Sequence, residues 1–268
     1  MKSFIYILLV ALPGLIAFKP GPSKEIRKDF KKYYDQFDVD GCFVLFDQKN
    51  NKYILYNPTQ CKQPFTPAST YKIFNSLVGL ETGVIKDENF VIPWNGVKYN
   101  NTNWNKDHDL KLAYKNSTVW YYQELARRVG GERMKYWLDK AQYGNKDTSG
   151  GIDKFWLTGG LRISPEQQIN LLRKLHDNQL PFSQRTIDIV KNIMIEKDTM
   201  NYVLRSKTGW GEEGKTNIGW YVGYIEKEGN VYYFANCIQT NAIQEKSFLA
   251  ARKLIVENIL KELKVIEK

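Results

Sequence analysis

Apolar and polar positions alternate along this chain with two different periods, and each change of period marks a new element. Ser23-Lys24-Glu25 opens an amphipathic helical pattern that runs to about Phe37, with Ser23 as N-cap and acidic residues near the start. Gly41 to Asp47 and Lys52 to Tyr56 are β-branched and aromatic runs separated by Gln48-Lys49-Asn50-Asn51, which predicts a hairpin. From about Thr66 to Leu180 the period turns helical, as in Tyr121 to Val129 and Pro165 to His176, with a long polar connection from Asn95 to Asp109. Strand patterns return at Tyr202 to Lys207, Asn217 to Glu226 and Asn230 to Thr240. Turns at Gly211 to Gly214 and Glu228-Gly229-Asn230 separate them and predict an antiparallel meander. A last amphipathic helix spans about Gln244 to Leu263. The order predicts an α+β fold: an antiparallel sheet built from both ends of the chain, flanked by N- and C-terminal helices, with an all-helical domain inserted. Residues 19–65 and 185–268 form the discontinuous sheet domain, and residues 66–184 the helical domain.

The first 18 residues stand outside this scheme. Met1-Lys2 is a short basic start, and Phe4 to Phe18 is an apolar stretch broken by Pro13-Gly14, the length of a signal-peptide core. Cleavage is expected near Ala17, giving an exported, periplasmic protein; an uncleaved anchor is the alternative. With 268 residues, 43% of them hydrophobic, the remainder can bury the core of one large domain or two interlocked ones. The formal net charge is +10, but the lysines are scattered among acidic residues. That pattern reads as a solvated basic surface and not as a nucleic-acid or membrane site.

Cysteine and histidine counts narrow the chemistry. Cys42, Cys61 and Cys237 allow one disulfide with one thiol left over. Cys42 opens one hairpin strand and Cys61 follows the other, so they can pair; three buried free thiols are the equal alternative. The only two histidines, His108 and His176, have no companions in ligand or triad spacing. A histidine-based hydrolase and a zinc hydrolase are both disfavoured, and no metal is expected.

Candidate chemistry concentrates at Pro67-Ala68-Ser69-Thr70-Tyr71-Lys72, a loop entering a helix. Positions i and i+3 share a helix face, so Ser69 and Lys72 become neighbours. A hydroxyl needs a base to take its proton, and a neutral lysine or its carbamate is such a base. The helix start adds backbone N–H groups where an oxyanion would form. Alone, S-x-x-K also describes a capping serine and a solvated lysine. Lys207-Thr208-Gly209, at the end of a predicted strand, is the second element. Its Lys and Thr suit a substrate carboxylate, and its Gly permits close backbone approach. The two motifs together are a signature of penicillin-recognising serine enzymes.

Three further elements refine this. Ser117-Thr118-Val119 resembles an S-x-V element, Tyr143-Gly144-Asn145 a Y-G-N element, and Trp156-Leu157-Thr158-Gly159-Gly160-Leu161-Arg162-Ile163-Ser164 a W-x-x-G-x-L-x-I-S stretch. In this order the five elements resemble the class D (oxacillinase-type) serine β-lactamases, from about Asp38 to Lys253. Tyr71 and Thr118 depart from the commoner Phe and Ala without removing a catalytic group. The resemblance implies the fold of β-lactamases and penicillin-binding transpeptidases. It implies a small-molecule β-lactam substrate and an acyl-enzyme on Ser69. It also implies Lys72 N-carboxylated by CO2, with bicarbonate as the only co-reactant. Lys72 so modified would be the general base in both half-reactions, lined by Val119, Phe74 and Leu157 and hydrogen-bonded by the Trp156 indole. The oxyanion would sit between the backbone N–H groups of Ser69 and Trp210, Ser117 would relay a proton to the leaving nitrogen, and Lys207 would stand nearby. Thr208, Gly209, Trp210 and Arg252 would hold the substrate, with Tyr143 and Asn145 structural beneath the site. The protein would have no nucleic-acid partner, would leave the membrane after signal cleavage, and would be a monomer or homodimer. Alternative readings are a β-lactam sensor domain that acylates without turnover, a penicillin-binding D,D-peptidase and a non-catalytic peptidoglycan-binding module.

Overall fold

A computed structural model describes residues 21–242 and 245–267. The expected signal peptide, 1–18, and the expected helix start at Gln244 lie outside the described residues. The strands are β1 (Ser23–Ile26), β2 (Asp40–Asp47), β3 (Lys52–Tyr56), β4 (Ile195–Asp198), β5 (Val203–Glu213), β6 (Thr216–Lys227) and β7 (Asn230–Thr240). They form one sheet in the order β1-β3-β2-β7-β6-β5-β4, antiparallel except for β1 against β3. The helices are α1 (Lys31–Asp35), α2 (Lys72–Glu81), α3 (Leu110–Lys115), α4 (Val119–Val129), α5 (Gly131–Ala141), α6 (Pro165–His176), α7 (Gln184–Ile193) and α8 (Glu245–Glu262). The α+β architecture and the pairing of both chain ends in one sheet follow the sequence pattern.

The middle of the sheet is covered on both faces, so β2, β6 and β7 are buried at successive positions instead of alternately. Successive side chains point to opposite faces. Cys42, Val44 and Phe46 of β2 join Trp220, Val222 and Tyr224 of β6 in the core beneath α2–α7. Phe43 and Leu45 join Tyr221 and Ile225 in a second core beneath α8 and Phe30. The helix α2 runs through the middle of the first core and is buried from Lys72 to Leu80 on all sides, as expected of a helix without a wet face. The helix α7 packs on α2 and α3. All three cysteines are buried free thiols, with Cys42 directly opposite Cys237 across β2 and β7.

Two expectations are corrected. The predicted helix from Ser23 to Phe37 is a strand, a 3-10 turn at Lys28–Phe30 and the short α1. The free edge of β3 captures Ser23–Ile26 in parallel register, supported by the Lys52–Glu25 ion pair and the bond from Arg27 N to Leu55 O at 2.7 Å. Tertiary pairing overrides the local helical pattern there. The strand expected to end at Lys207 continues to Glu213, with Gly209 opposite Trp220 and Gly211 opposite Ile218. These glycines mark a close approach and not a turn. A Cβ on Gly209 would lie 3.2 Å from Pro67 O and one on Gly211 3.0 Å from the Thr66 methyl.

Among the glycines of β5 and β6, Gly223 leaves the least room for a side chain. A Cβ there would meet Arg205 O at 2.3 Å and the Phe234 ring at 2.9 Å. Gly223→Ala should therefore lose about 1–3 kcal/mol by overpacking, read as a fall of several degrees in Tm by circular dichroism.

Candidate active site

Ser69 is the only residue from Thr66 to Leu80 that is not buried. It lies in a 3-10 turn, Ala68–Tyr71, that runs directly into α2. The turn is held tightly. Ala68 has a left-handed backbone, φ 46°, and its N–H donates to Trp156 O at 3.0 Å. Thr70 Oγ1 donates to Pro67 O at 2.7 Å and accepts from Gln168 Nε2 at 2.8 Å. The strained Ala68 is the kind of backbone feature that persists only where surrounding contacts impose it.

One turn into the helix, Lys72 is 1% exposed. Its Nζ lies 2.7 Å from Ser69 Oγ, 2.8 Å from Ser117 O and 3.0 Å from Ser117 Oγ, all within hydrogen-bonding distance. Burial drives its pKa well below that of an ordinary lysine, and Lys207 pushes in the same direction. The neutral amine is therefore favoured beside a serine hydroxyl. Ser117 reaches this point because it too has a left-handed backbone, φ 52°, at the start of α4. Val119 begins α4, and one turn later the Tyr122 ring lies 5.5 Å from Lys72 Nζ.

Trp156 is buried and stacks on Tyr71 at 5.3 Å between ring centroids. Its carbonyl accepts from Ala68 N and Thr66 Oγ1, but its indole Nε1 donates to no acceptor among the described residues. The Tyr143 ring packs edge-on against Tyr71, and Asn145 bonds Gly160 O and Arg162 N. Both tie the Trp156 loop to the floor of the site.

The opposite wall is β5. Lys207 is 5% exposed and donates to Thr208 O at 3.1 Å, with the Tyr114 ring 5.6 Å from its Nζ. Burial first, then Arg252 and Lys253, lower its pKa to about 7. Arg252 crosses from α8 to donate to Gly209 O at 2.8 Å, and burial lowers its pKa to about 10. The Trp210 indole is turned toward Asn217 Oδ1, at 3.0 Å, so only its backbone belongs to the wall of the cleft.

Two serines on one buried lysine amine, faced by Lys207 and Arg252, suit acyl transfer from an amide to a serine hydroxyl. The family model of the penicillin binding protein transpeptidase domain matches residues 41–261. The chain is 39% identical to the β-lactamase OXA-48 of Klebsiella pneumoniae, over 96% of this chain and 97% of that protein. The chain belongs to the class D β-lactamases. Its fold superposes on the class D β-lactamase of Sebaldella termitidis with a TM-score of 0.89 at 39% identity, covering 92% of this chain and all (100%) of that one. It is also similar to the C-terminal domain of the Bacillus licheniformis BlaR penicillin-receptor, with a TM-score of 0.86 at 35% identity, covering 93% and 100%.

For a class D β-lactamase, several site features lay beyond the sequence motifs. Tyr122, Tyr114 and Gln168 sit at helix positions that read only as core. Glu213, at the tip of β5, pairs with Arg162 at 2.9 Å and accepts from Thr66 N at 2.6 Å, clasping β5 to the segment before Ser69. His108 is buried and bonds Lys106 O and Asn116, next to Ser117; His176 faces Asp177 and Glu226. Neither histidine hydrogen-bonds Ser69. Among the described residues no group of His, Cys, Asp and Glu could hold a metal ion.

Buried Lys207 carries a pH signature. The unfolded chain holds its proton up to about pH 10.4, whereas the folded chain releases it near 7. Its burial therefore costs stability in full below pH 7, and the cost fades as pH rises toward the ordinary lysine value. In bicarbonate-free buffer, Lys207→Met should flatten the rise of unfolding free energy between pH 7.5 and 10 by up to about 1.4 kcal/mol per pH unit, measured by urea denaturation.

Proposed function

We propose that the protein hydrolyses penicillins and related β-lactams through an acyl-enzyme on Ser69, with carboxylated Lys72 as the general base of both steps. The observation that carries the reading is the 2.7 Å contact between Ser69 Oγ and the buried Lys72 amine, whose pKa burial pushes well below that of an ordinary lysine. A neutral amine is the form that adds CO2, and the Trp156 indole N–H, without an acceptor of its own, suits a carbamate oxygen. Carboxylated Lys72 would take the Ser69 proton as Oγ bonds the lactam carbonyl carbon. The oxyanion would be held by the backbone N–H groups of Ser69 and Trp210. As the ring C–N bond breaks, Ser117 would deliver a proton to the nitrogen. Lys72 would then activate the water that releases the product and frees Ser69. Thr208, Lys207 and Arg252 would hold the substrate carboxylate, with Gly209 giving it room.

The wider setting belongs to the same proposal: export to the periplasm with loss of residues 1–18, no partner beyond the substrate, and action as a monomer or homodimer. Among the described residues no helix is long and apolar enough to cross a membrane. The likeness to the BlaR penicillin-receptor supports one second reading, a sensor that acylates Ser69 and stops.

A chromogenic cephalosporin followed with and without bicarbonate separates these. Sustained turnover that rises with bicarbonate is expected; a burst of about one equivalent that stalls with bicarbonate present would identify the sensor or a D,D-peptidase. A Ser69→Ala protein that still hydrolyses would overturn both; a wild type that neither hydrolyses nor carries a penicillin adduct on Ser69 by mass spectrometry would leave a non-catalytic module. The pH profile gives an independent check. Because kcat/KM reports free-enzyme groups and Lys207 must be a cation to hold a carboxylate, the alkaline limb should fall near pH 7. Lys207→Arg should move that limb upward.

A further inference from the structure

The edge strand β4 carries one side chain that does not behave like its neighbours. Every residue of Ile195–Asp198 is exposed overall, yet the Glu196 side chain keeps 24% of its surface. The cause is local. The register of β4 against β5 slips between Ile195 and Lys197, a bulge centred on Glu196. Bulges re-aim a side chain, and they recur at sheet edges beside active sites.

The re-aimed carboxylate meets three elements. It accepts from Ser206 Oγ of β5, from Tyr221 OH of β6 at 2.9 Å and from Lys253 Nζ of α8. Ser206 immediately precedes Lys207, and Lys253 immediately follows Arg252. Ser206 has no freedom left. Its N–H donates to Met194 O at 2.9 Å and its carbonyl accepts from Tyr114 OH at 3.0 Å.

We propose that Glu196 is the positioning residue for the carboxylate-binding end of the cleft, fastening the neighbours of Lys207 and Arg252 to one anchor. It touches no substrate. It sets the spacing of the two cations across the β5–α8 seam and stands as a counter-charge to Lys207. The groups acting on Lys207 are Arg252 and Lys253 from α8, Lys72 from α2, the Tyr114 ring from α3 and Glu196 from β4. Glu196 is the acidic member of that set. Burial pushes its own pKa up, but Lys253, Ser206 and Tyr221 outweigh this and hold it below the usual carboxylate range, so it is ionised at neutral pH. This inference rests on the proposed role of Lys207 and Arg252.

Glu196→Gln and Glu196→Ala are compared with wild type on a chromogenic cephalosporin and on its methyl ester, which lacks the carboxylate. For the free acid, KM should rise about tenfold, as for the loss of a charge-assisted contact, with kcat little changed. The ester should be unaffected, and the alkaline limb of kcat/KM should move to lower pH, because Lys207 has lost the charge that favours its proton. An Arg252→Ala background should abolish most of the KM effect. Equal losses on acid and ester with an unmoved limb would reduce Glu196 to a sheet-edge tether and overturn the proposal, as would unchanged KM. Where the alanine variant folds poorly, the glutamine variant decides, since it keeps groups that can bond Ser206 and Tyr221. A wild type that acylates without turnover would defeat the hydrolase reading alone. The same comparison is then made on the concentration dependence of the acylation rate. No reaction of wild type would sink both.

Discussion

A dry lysine amine held against a serine hydroxyl is the constraint around which this molecule is arranged. Charged, Lys72 would be costly in a helix buried on every side; neutral, it is a base with its lone pair available. Keeping it neutral requires the rest of the fold. The α2 helix has no wet face, the Tyr122 ring closes one side of the amine, and Ser117 satisfies the N–H groups that water would otherwise take. Two non-glycine residues, Ala68 and Ser117, are held in the left-handed backbone region that favours glycine, where the two serines reach the same nitrogen. That strain sits where the chemistry is, and bonds from Trp156 and Tyr114 hold the two turns in place.

Across the cleft the same physics acts on cations. Lys207 and Arg252 are both largely buried and both lose proton affinity through that burial. Their proximity would be unfavourable in the free protein without a compensating carboxylate, and β4 supplies one through a bulge. The arrangement is primed for an anion. A substrate carboxylate would complete the charge balance that Glu196 begins, which ties the stability of the β5–α8 seam to substrate binding.

Much of the architecture was legible in the residue pattern. The β2–β3 hairpin, the meander from β5 to β7, the helices at Val119–Val129 and Pro165–His176, and the return of the chain to one sheet follow from period and turn residues. The first turn of the chain did not. Ser23–Ile26 has a helix-like pattern, but an open edge on β3 offers four residues of backbone pairing, and such an edge is invisible to local periodicity. The extent of β5 was misjudged for a related reason. Gly211 reads as a turn residue, while in the sheet its missing side chain makes room for Thr66, as that of Gly209 does for Pro67.

By itself the sequence picked out the groups of the proposed site: Ser69 and Lys72 three positions apart at a helix start, Ser117 before a second helix, Lys207 and Thr208 on a strand, and Arg252 on the last helix. Short-range spacing decides those because a helix or strand places i and i+3, or i and i+2, by covalent geometry alone. Only tertiary structure decided that Lys72 is dry, that Ser117 meets it from 45 residues away in sequence, and that Glu196 turns inward from an exposed edge. Desolvation and the meeting of charges depend on what the rest of the chain packs into the same space, and no local pattern records it.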